Sequence, residues 1–178
     1  AKFQWRGQGY KALVNLGATY MLKDEYQLEK GGPFLTSLGA NANGLVTFRW
    51  QAKLDLSLET GNLTNSLAAY YKSGYHDQVL TSDNNPSGVQ VLNADGSIKT
   101  TIFDFSRDVS SYVRVDYQVN YRATKQFTVV LGALNIFDAA PPTSFTVSGL
   151  NKGQPVGYDP RFYDPRGRTL YVNARYSF

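Results

Sequence analysis

The chain has 178 residues, a formal net charge of +4, 42% hydrophobic residues, one histidine and no cysteine. The absence of cysteine excludes a disulfide framework and a thiolate metal site, and a single histidine excludes a multi-histidine metal site. The Lys and Arg residues are scattered rather than clustered, which argues against a nucleic-acid-binding surface. No apolar run approaches the roughly 18 residues that a membrane-spanning helix needs.

Six segments are predicted to form β-strands, because apolar and polar residues alternate along them. Successive side chains of a strand point to opposite faces, so such a segment has one apolar and one polar face. Segment 46–58 alternates without a slip, a pattern that a helix cannot satisfy, whereas 126–137 is apolar on both faces and cannot be oriented. The predicted strands cover residues 10–23, 46–58, 63–75, 111–122, 126–137 and 170–178.

The connections between these strands alternate between short and long. Residues 59–62 and 123–125 form short turns, whereas 24–45, 76–110 and 138–167 are long loops. Inside the second long loop, residues 89–92 and 97–100 flank Asn93-Ala94-Asp95-Gly96, which predicts a small hairpin. Short turns at one end and long loops at the other are typical of outer-membrane β-barrels. The pattern therefore predicts periplasmic turns, extracellular loops and a periplasmic C-terminus.

The predicted fold class is all-β, an antiparallel transmembrane β-barrel segment of about six strands, and alternation assigns residues to its two faces. The residues expected to face lipid are Val46, Phe48, Trp50, Leu54, Leu56, Val113, Val115, Tyr117 and Val119. The residues expected to face the lumen are Arg49, Lys53, Asp55, Arg114, Asp116, Arg122 and Arg175. An isolated charge at mid-depth on the lipid side costs about 2–4 kcal/mol, which explains why the outward set has none. The lumen charges either contact a plug or cargo or pair with one another, and we favour pairing.

Several motifs together resemble the C-terminal barrel portion of TonB-dependent outer-membrane receptors. They are Asn135-Ile136-Phe137-Asp138 followed by Pro141-Pro142, then V-G-Y-D-P-R at 156–161, Y-D-P-R-G-R at 163–168, and the terminal strand with Phe178. Upstream, Y-Q-L-E at 26–29, G-G-P-F at 31–34 and V-T-F-R-W at 46–50 resemble a proteobacterial branch of the same family. The resemblance spans nearly the whole chain, and its strength lies in the order of the motifs.

The resemblance implies a barrel of 22 strands closed by a plug, the size of the plugged outer-membrane transporters. Residues 1–178 would be the C-terminal part of that barrel, because the chain starts without an initiator Met and lacks a plug. The implied activity is import of a scarce nutrient energised through TonB. A ferric siderophore is the leading cargo, and haem, cobalamin or a sugar are the other candidates.

The same resemblance implies partners, location and an assembly signal. The partners are the rest of the barrel and plug, the TonB complex acting through the plug, the outer-membrane assembly machinery, lipopolysaccharide and lipid. The location is the outer membrane of a Gram-negative bacterium, and no enzymatic activity or cofactor is expected. The residues that resemble the assembly signal are Leu170, Val172, Ala174, Tyr176 and Phe178. The alternative is that they form only an edge strand that pairs with the first barrel strand, and both can hold.

A close repeat, Y-D-P-R at 158–161 and again at 163–166, marks the last long loop. Its Arg161 and Arg166, with Arg168, are candidates to contact lipopolysaccharide or an anionic siderophore. The alternative, which we favour, is a loop folded back onto the strand ends. No catalytic or metal site is predicted, because His76-Asp77 has no nucleophile motif beside it and the loop acids do not match a calcium-binding loop.

Two other classes of protein remain open on the sequence alone. One is a smaller outer-membrane barrel that acts as an adhesin or an enzyme, with its functional residues near the outer rim. The other is a soluble β-barrel binding protein. The soluble barrel predicts that Val46, Trp50, Leu54 and Leu58 are buried in a core.

Overall fold

The regular elements of the computed structural model, which describes residues 1–42, 44–83, 88–144 and 157–178, are all β-strands. No helix in these ranges is long and apolar enough to span a membrane. The strands in chain order are β1 (Lys2–Gly7), β2 (Tyr10–Tyr20), β3 (Glu25–Tyr26), β4 (Leu35–Thr36), β5 (Asn41–Ala42), β6 (Leu45–Val46), β7 (Trp50–Thr60), β8 (Leu63–Lys72), β9 (Tyr75–His76), β10 (Val89–Leu92), β11 (Ile98–Ile102), β12 (Asp108–Val109), β13 (Tyr112–Arg122), β14 (Phe127–Leu134) and β15 (Thr169–Tyr176).

One antiparallel sheet of seven strands, in the order β1-β2-β7-β8-β13-β14-β15, forms the body of the molecule. Its strands follow one another in chain order, and the short strands are inserted between them as loop structure. The short strands form four two-stranded sheets, which pair β3 with β4, β5 with β6, β9 with β12, and β10 with β11. The β10–β11 pair is the hairpin that the sequence predicts, and the prediction of an all-β antiparallel fold is confirmed.

All six predicted strands are present in the seven-stranded sheet, but its first strand, β1, is not among the predicted strands. β1 pairs with β2 from Gly7 opposite Tyr10 to Lys2 opposite Asn15. The turn between them contains Gly9 at φ +82°, a conformation that suits glycine. The sequence of β1 also alternates, because the polar Gln4 separates the apolar Phe3 from Trp5.

The start of the predicted strand 46–58 is wrong. Val46 lies in β6, the sheet strand β7 begins only at Trp50, and Arg49 is exposed between the two. Phe48, expected to face lipid, is 6% exposed and belongs to a buried cluster. Thr47 causes the departure, because its backbone N–H donates to the Ser37 carbonyl at 2.9 Å and ties this segment to the preceding loop.

The register of the seven strands places the apolar residues on one face, here called the apolar face. This face has no charged residue, and its polar Asn65 accepts a hydrogen bond from the Tyr117 hydroxyl at 2.6 Å. The members from β1, β2 and β7 are Phe3, Trp5, Tyr10, Ala12, Val14, Leu16, Ala18, Tyr20, Trp50, Ala52, Leu54, Leu56, Leu58 and Thr60. The members from β8, β13, β14 and β15 are Leu63, Asn65, Leu67, Ala69, Tyr71, Val113, Val115, Tyr117, Val119, Tyr121, Phe127, Val129, Leu131, Ala133, Leu170, Val172, Ala174 and Tyr176.

Most large side chains of the apolar face are uncovered, as Leu170 at 75% exposed and Val172 at 72% illustrate. Val115 is the exception at 9% exposed, because the chain after β14 runs beside it and the Ile136 N–H donates to its carbonyl at 2.8 Å. Strand β14, which the sequence could not orient, contributes its odd-numbered residues from Phe127 to Ala133 to this face. Among the residues that the structure describes, no second layer therefore packs on the apolar side of the sheet.

The opposite face, here called the polar face, carries every charged residue of the seven strands. Its eight cationic and three acidic residues are Lys2, Arg6, Lys11, Lys53, Lys72, Arg114, Arg122 and Arg175, with Asp55, Glu59 and Asp116. The buried residues lie elsewhere, mostly in the loops at one end of the sheet, around Phe48, Tyr75, Val109 and Tyr163. This buried assembly of loops is called the loop cap below.

Gly132 of β14 gives a test of the polar-face register, because a side chain there has no room. A Cβ on Gly132 would lie 2.1 Å from the ring of Tyr171, whereas a Cβ on Gly17 of β2 would meet nothing within 4 Å. We expect Gly132→Ala to lower the free energy of unfolding by about 1–3 kcal/mol, the usual cost of overpacking. Urea titration in detergent micelles, followed by the fluorescence of Trp5 and Trp50, measures the change.

Gly17→Ala is the matched control, since it makes the same change on the same face without a clash, and it should be close to neutral. Adding Tyr171→Ala to Gly132→Ala removes the ring that the new methyl group meets. Equal losses for Gly132→Ala and Gly17→Ala would contradict the register of β14 with β15.

Candidate functional site

The loop cap has an aromatic centre that joins three loops. The ring of Phe48 lies 5.0 Å from that of Phe162 and 5.8 Å from that of Tyr75, both edge-to-face, and Tyr112 meets Tyr163 at 5.2 Å in the same way. Such pairs contribute about 0.5–1.5 kcal/mol each beyond the apolar area that they bury. The cap therefore has the packed core that the sheet lacks.

Lys72, the last residue of β8, connects the polar face to the cap. Its ammonium donates to the Phe162 carbonyl at 2.6 Å. The same ammonium lies 5.5 Å from the ring centres of Phe48 and Tyr163 and 5.8 Å from that of Phe162. Aromatic faces attract a cation at these distances, so three rings and one carbonyl hold this side chain under the cap.

Asp77 is the polar centre of the cap and is 2% exposed. Its Oδ1 accepts hydrogen bonds from the Gln78 backbone N–H at 2.9 Å, the Ser144 hydroxyl at 3.2 Å and the Asn41 amide at 3.5 Å. The Tyr75 hydroxyl donates in turn to Ser144 at 3.3 Å. Buried carboxylates need such donors, and these three tie segments from all three long loops together.

Burial also changes the tyrosine chemistry of the cap. Desolvation raises the pKa of the Tyr75 hydroxyl to about 12 and raises the pKa of Tyr163 as well. Both rings are only 4% exposed, so a phenolate would lose its hydration in the cap. The raised pKa means that the cap favours the neutral phenols, and its stability should decline as the pH rises above 10.

The two Y-D-P-R segments form the same local structure at different depths. Asp159 is fully buried, and its carboxylate accepts hydrogen bonds from Nε and Nη2 of Arg161. The shortest of these, from Nη2 to Oδ2, measures 2.5 Å. The Arg161 guanidinium also donates to the Gly44 carbonyl. Asp164 receives the same two groups of Arg166 at 3.0 and 2.7 Å, but the Arg166 side chain is 74% exposed. The hydrogen bonds from Arg166 lower the pKa of Asp164 to about 2.

The three arginines proposed as external contacts thus have different surroundings. Arg161 is committed to the buried Asp159 and to the Gly44 carbonyl, although its own side chain is 32% exposed. Arg166 is paired with Asp164 at the surface. Arg168 is exposed, its backbone N–H donates to the Asp138 carboxylate at 2.8 Å, and its guanidinium lies 3.5 Å from the Ile136 carbonyl. Contact of Arg166 or Arg168 with an anion outside the protein stays a prediction.

The N-I-F-D motif is the turn that leads from β14 into the cap. Asn135 and Asp138 adopt positive φ angles of 52° and 55°, which polar residues of this kind tolerate. The Asn135 side chain exchanges two hydrogen bonds with the backbone of Ala139 at 2.9 and 3.0 Å, and its backbone N–H donates to Asp116 at 2.9 Å. The motif therefore joins the polar face to the last loop.

Asp24 closes the first long loop in a similar way. Its carboxylate accepts hydrogen bonds from the hydroxyls of Ser37 and Thr47, each at 2.5 Å. These bonds, that of Ser37 first, lower the pKa of Asp24. The contribution of this carboxylate to stability is complete above its ordinary pKa and is lost as the pH falls through the lowered value.

Four of the eleven charged residues of the polar face form two ion pairs, each with a neighbour two positions along the same strand. Lys53 contacts Asp55 at 2.9 Å, and Arg114 contacts Asp116 at 3.0 Å. Both cations also lie over the ring of Tyr70, at 5.4 Å for the Lys53 ammonium and 4.7 Å for the Arg114 guanidinium. Of these residues, Lys53, Asp55, Tyr70 and Asp116 border an open cavity of about 380 Å³ in the middle of the face. Arg122 and Arg175 lie on the same face but are exposed at its other end.

Sequence reasoning missed Lys72, Asp77, Asp159 and Ser144, the residues that organise the cap. Their positions in loops or at a strand end carry no periodic signal, and only the Y-D-P-R repeat pointed to Asp159. The exposed pair of His76 and Asp108, 2.9 Å apart, joins β9 to β12. Within the described ranges no cluster of three or more His, Asp or Glu side chains could hold a metal ion.

Comparison with known proteins adds no relative to this picture. No protein-family model, no curated protein and no solved structure matches the chain. The function of the protein is therefore inferred from the two faces of the sheet and from the loop cap.

The repeated Y-D-P-R structure gives a matched pair of variants. We expect Arg161→Gln to lower the free energy of unfolding by about 3 kcal/mol, the lower end of the range for leaving a buried carboxylate unpaired. Arg166→Gln makes the same change in an exposed pair and should lower the free energy of unfolding far less, because solvent screens that pair. Urea titration of both variants in detergent micelles measures the difference.

The exposed pair of Arg166 and Asp164 can also be followed through the pKa of Asp164. In Arg166→Gln the pKa of Asp164, followed by NMR titration of its carboxyl carbon, should rise from about 2 towards its ordinary value of 3.8. Because the folded pKa is depressed, the pair contributes fully above the ordinary value and loses its contribution as the pH falls towards 2. A loss of stability in Arg166→Gln as large as that in Arg161→Gln would contradict the difference in burial.

Proposed function

We propose that this chain is part of the β-barrel of a TonB-dependent outer-membrane receptor, which imports a scarce nutrient. The observation that carries the proposal is the apolar face, which extends over seven strands without a charged residue and is backed by a charged polar face. In a membrane barrel the apolar face contacts lipid and the polar face lines the lumen. A sheet with these two faces needs no second layer of protein in a membrane barrel, because lipid covers its apolar face.

The distribution of aromatic residues on the apolar face supports a membrane location. Tyr20, Trp50 and Tyr71 lie at the end next to the loop cap, and Tyr10 and Tyr121 lie at the turn end. Ten residues separate Tyr10 from Tyr20, which is about 33 Å along a strand at roughly 3.3 Å per residue. A strand tilt of about 40° reduces this to about 25 Å, the height of the apolar band between aromatic girdles in outer-membrane barrels.

The exposure of the apolar face argues against the soluble barrel. That alternative requires Trp50 and Leu58 in a core, but they are 45% and 42% exposed. Soluble monomers rarely expose apolar patches larger than a few hundred Å². A face of seven strands with Phe3, Trp5 and Leu131 each more than half exposed fits lipid as its surroundings.

The edges of the sheet support a larger barrel. In the part of the chain that the structure describes, β1 and β15 each pair with one neighbour only. An unpaired edge cannot lie in lipid, because its backbone groups would have no hydrogen-bond partners. On this proposal further strands close the barrel to the 22 of the family, a plug fills the lumen, and seven strands rather than six are present here.

The direction of the barrel and the assembly signal follow from the same arrangement. The loop cap lies at the extracellular end and the short turns in the periplasm. The apolar residues of β15 face lipid next to the closing seam, where the assembly machinery would recognise them, and the Tyr176 and Phe178 rings lie 5.1 Å apart. Arg166 and Arg168 are the surface cations available to lipopolysaccharide. The leading candidate for the cargo is a ferric siderophore, and haem, cobalamin and sugars are the other candidates.

The lipid-facing assignment is tested by a pair of adjacent substitutions on β7. Leu54→Arg places a charge on the apolar face and should lower the free energy of unfolding in lipid vesicles by about 2–4 kcal/mol. Lys53→Leu removes a charge from the polar face and should be much milder. Urea titration in vesicles measures both, and equal losses would contradict the face assignment.

The transport proposal needs its own experiment in the source bacterium. We expect the protein in the outer-membrane fraction, and we expect uptake of radiolabelled ferric siderophores to fall when its gene is deleted. Uptake should fall equally when TonB is deleted, because the energy reaches the plug through TonB. Normal uptake of siderophores, haem, cobalamin and sugars in the deletion strain would refute import while leaving the membrane assignment intact.

A further inference from the structure

A small cavity lies between the polar face and the underside of the loop cap. It measures about 160 Å³ and is lined by Tyr70, Lys72, Tyr112, Arg114, Phe162 and Asp164. Pockets for drug-sized ligands measure roughly 300–1,000 Å³, so this cavity suits a fragment about the size of one ring with one substituent. Its walls combine three aromatic rings with two cations.

The charges around this cavity do not balance. The three cations are Lys72, Arg114 and Arg166, and the two carboxylates are Asp116 and Asp164. Arg114 pairs with Asp116 at 3.0 Å and Arg166 pairs with Asp164 at 2.7 Å. Lys72 has no carboxylate within ion-pair distance among the described residues. One positive charge is therefore left over beside the cavity.

The three rings around Lys72 attract this charge but do not neutralise it. One of its three N–H groups is used by the Phe162 carbonyl. The Nε of Arg114 is also buried without a hydrogen-bond partner among the described residues. A fully buried Nε is out of reach of a ligand oxygen, so the donors open to a ligand are those of Lys72 and of the rest of the Arg114 guanidinium, whose Nη2 donates to Asp116. A charged hydrogen bond with an anion is the interaction that would use them.

We propose that this cavity binds a small aromatic carboxylate, with its carboxylate between Lys72 and Arg114 and its ring among Tyr70, Tyr112 and Phe162. A monoanion restores charge balance, and a ring fills the apolar walls that inorganic phosphate would leave empty. The role of such a group as part of an imported ligand rests on the proposed function. The binding itself does not, because it is measured without transport.

The test is a titration of the protein in detergent micelles with 4-fluorobenzoate, followed by ¹⁹F NMR. We expect saturable binding that weakens at least tenfold in Lys72→Gln and stays within threefold in Lys72→Arg. Lys53→Gln is the matched control, since Lys53 lies on the same face, over the same Tyr70 ring, but is paired with Asp55. It should bind as the unmodified protein does.

Two further ligands test the chemistry on the unmodified protein, so the proposal stays testable if Lys72→Gln does not fold. The neutral 4-fluorobenzyl alcohol should bind at least tenfold more weakly, and inorganic phosphate should not displace 4-fluorobenzoate. Absence of saturable binding, equal binding of the alcohol, displacement by phosphate, or an equal loss in Lys53→Gln would each overturn the proposal. Failure of nutrient uptake with intact 4-fluorobenzoate binding would refute the transport function alone.

Discussion

The strict alternation of side chains in a single-layer sheet is the constraint on which the structure depends. A globular sheet buries one face under another layer, but in the described part of this chain no second layer covers the sheet, and one face is apolar while the other is charged. A slip of one residue between β2 and β7 would bring Lys53 and Asp55 to the apolar side. In the membrane barrel proposed above, register is therefore fixed by which medium each face can tolerate, rather than by the shape of a core.

The loop cap follows the opposite rule. There, Tyr75 and Tyr163 are buried against other loops, and Asp77 and Asp159 are buried with the donors that they need. Long loops are expensive to order, since each fixed residue costs about 1–2 kcal/mol of backbone entropy. Aromatic packing and satisfied carboxylates offset this cost, so three long loops form one packed unit at one end of the sheet.

The sheet could be predicted from the sequence and the cap could not, for a physical reason. Alternation is a local signal, so strands such as β13 and β15 were found within one or two residues of their true bounds. β1 was missed although Phe3 and Trp5 alternate with polar neighbours, because it is short. The partners of Lys72 and Asp77 lie up to 90 residues away in the chain, and no periodicity records contacts of that range.

Phe48, which alternation wrongly placed on the apolar face, shows where alternation stops predicting the orientation of a side chain. Its position predicts the same face as Trp50, yet it packs in the cap because the chain enters the seven-stranded sheet only at Trp50, after Val46 of the separate β5–β6 sheet. Period two decides orientation only while one face meets an apolar medium and the other a polar one. Beyond the aromatic row of Tyr20 and Trp50, both sides of the chain meet water and other loops. Burial against partners then decides where each side chain points, which is why the same alternating letters give the exposed apolar face on one side of Trp50 and a packed cap on the other.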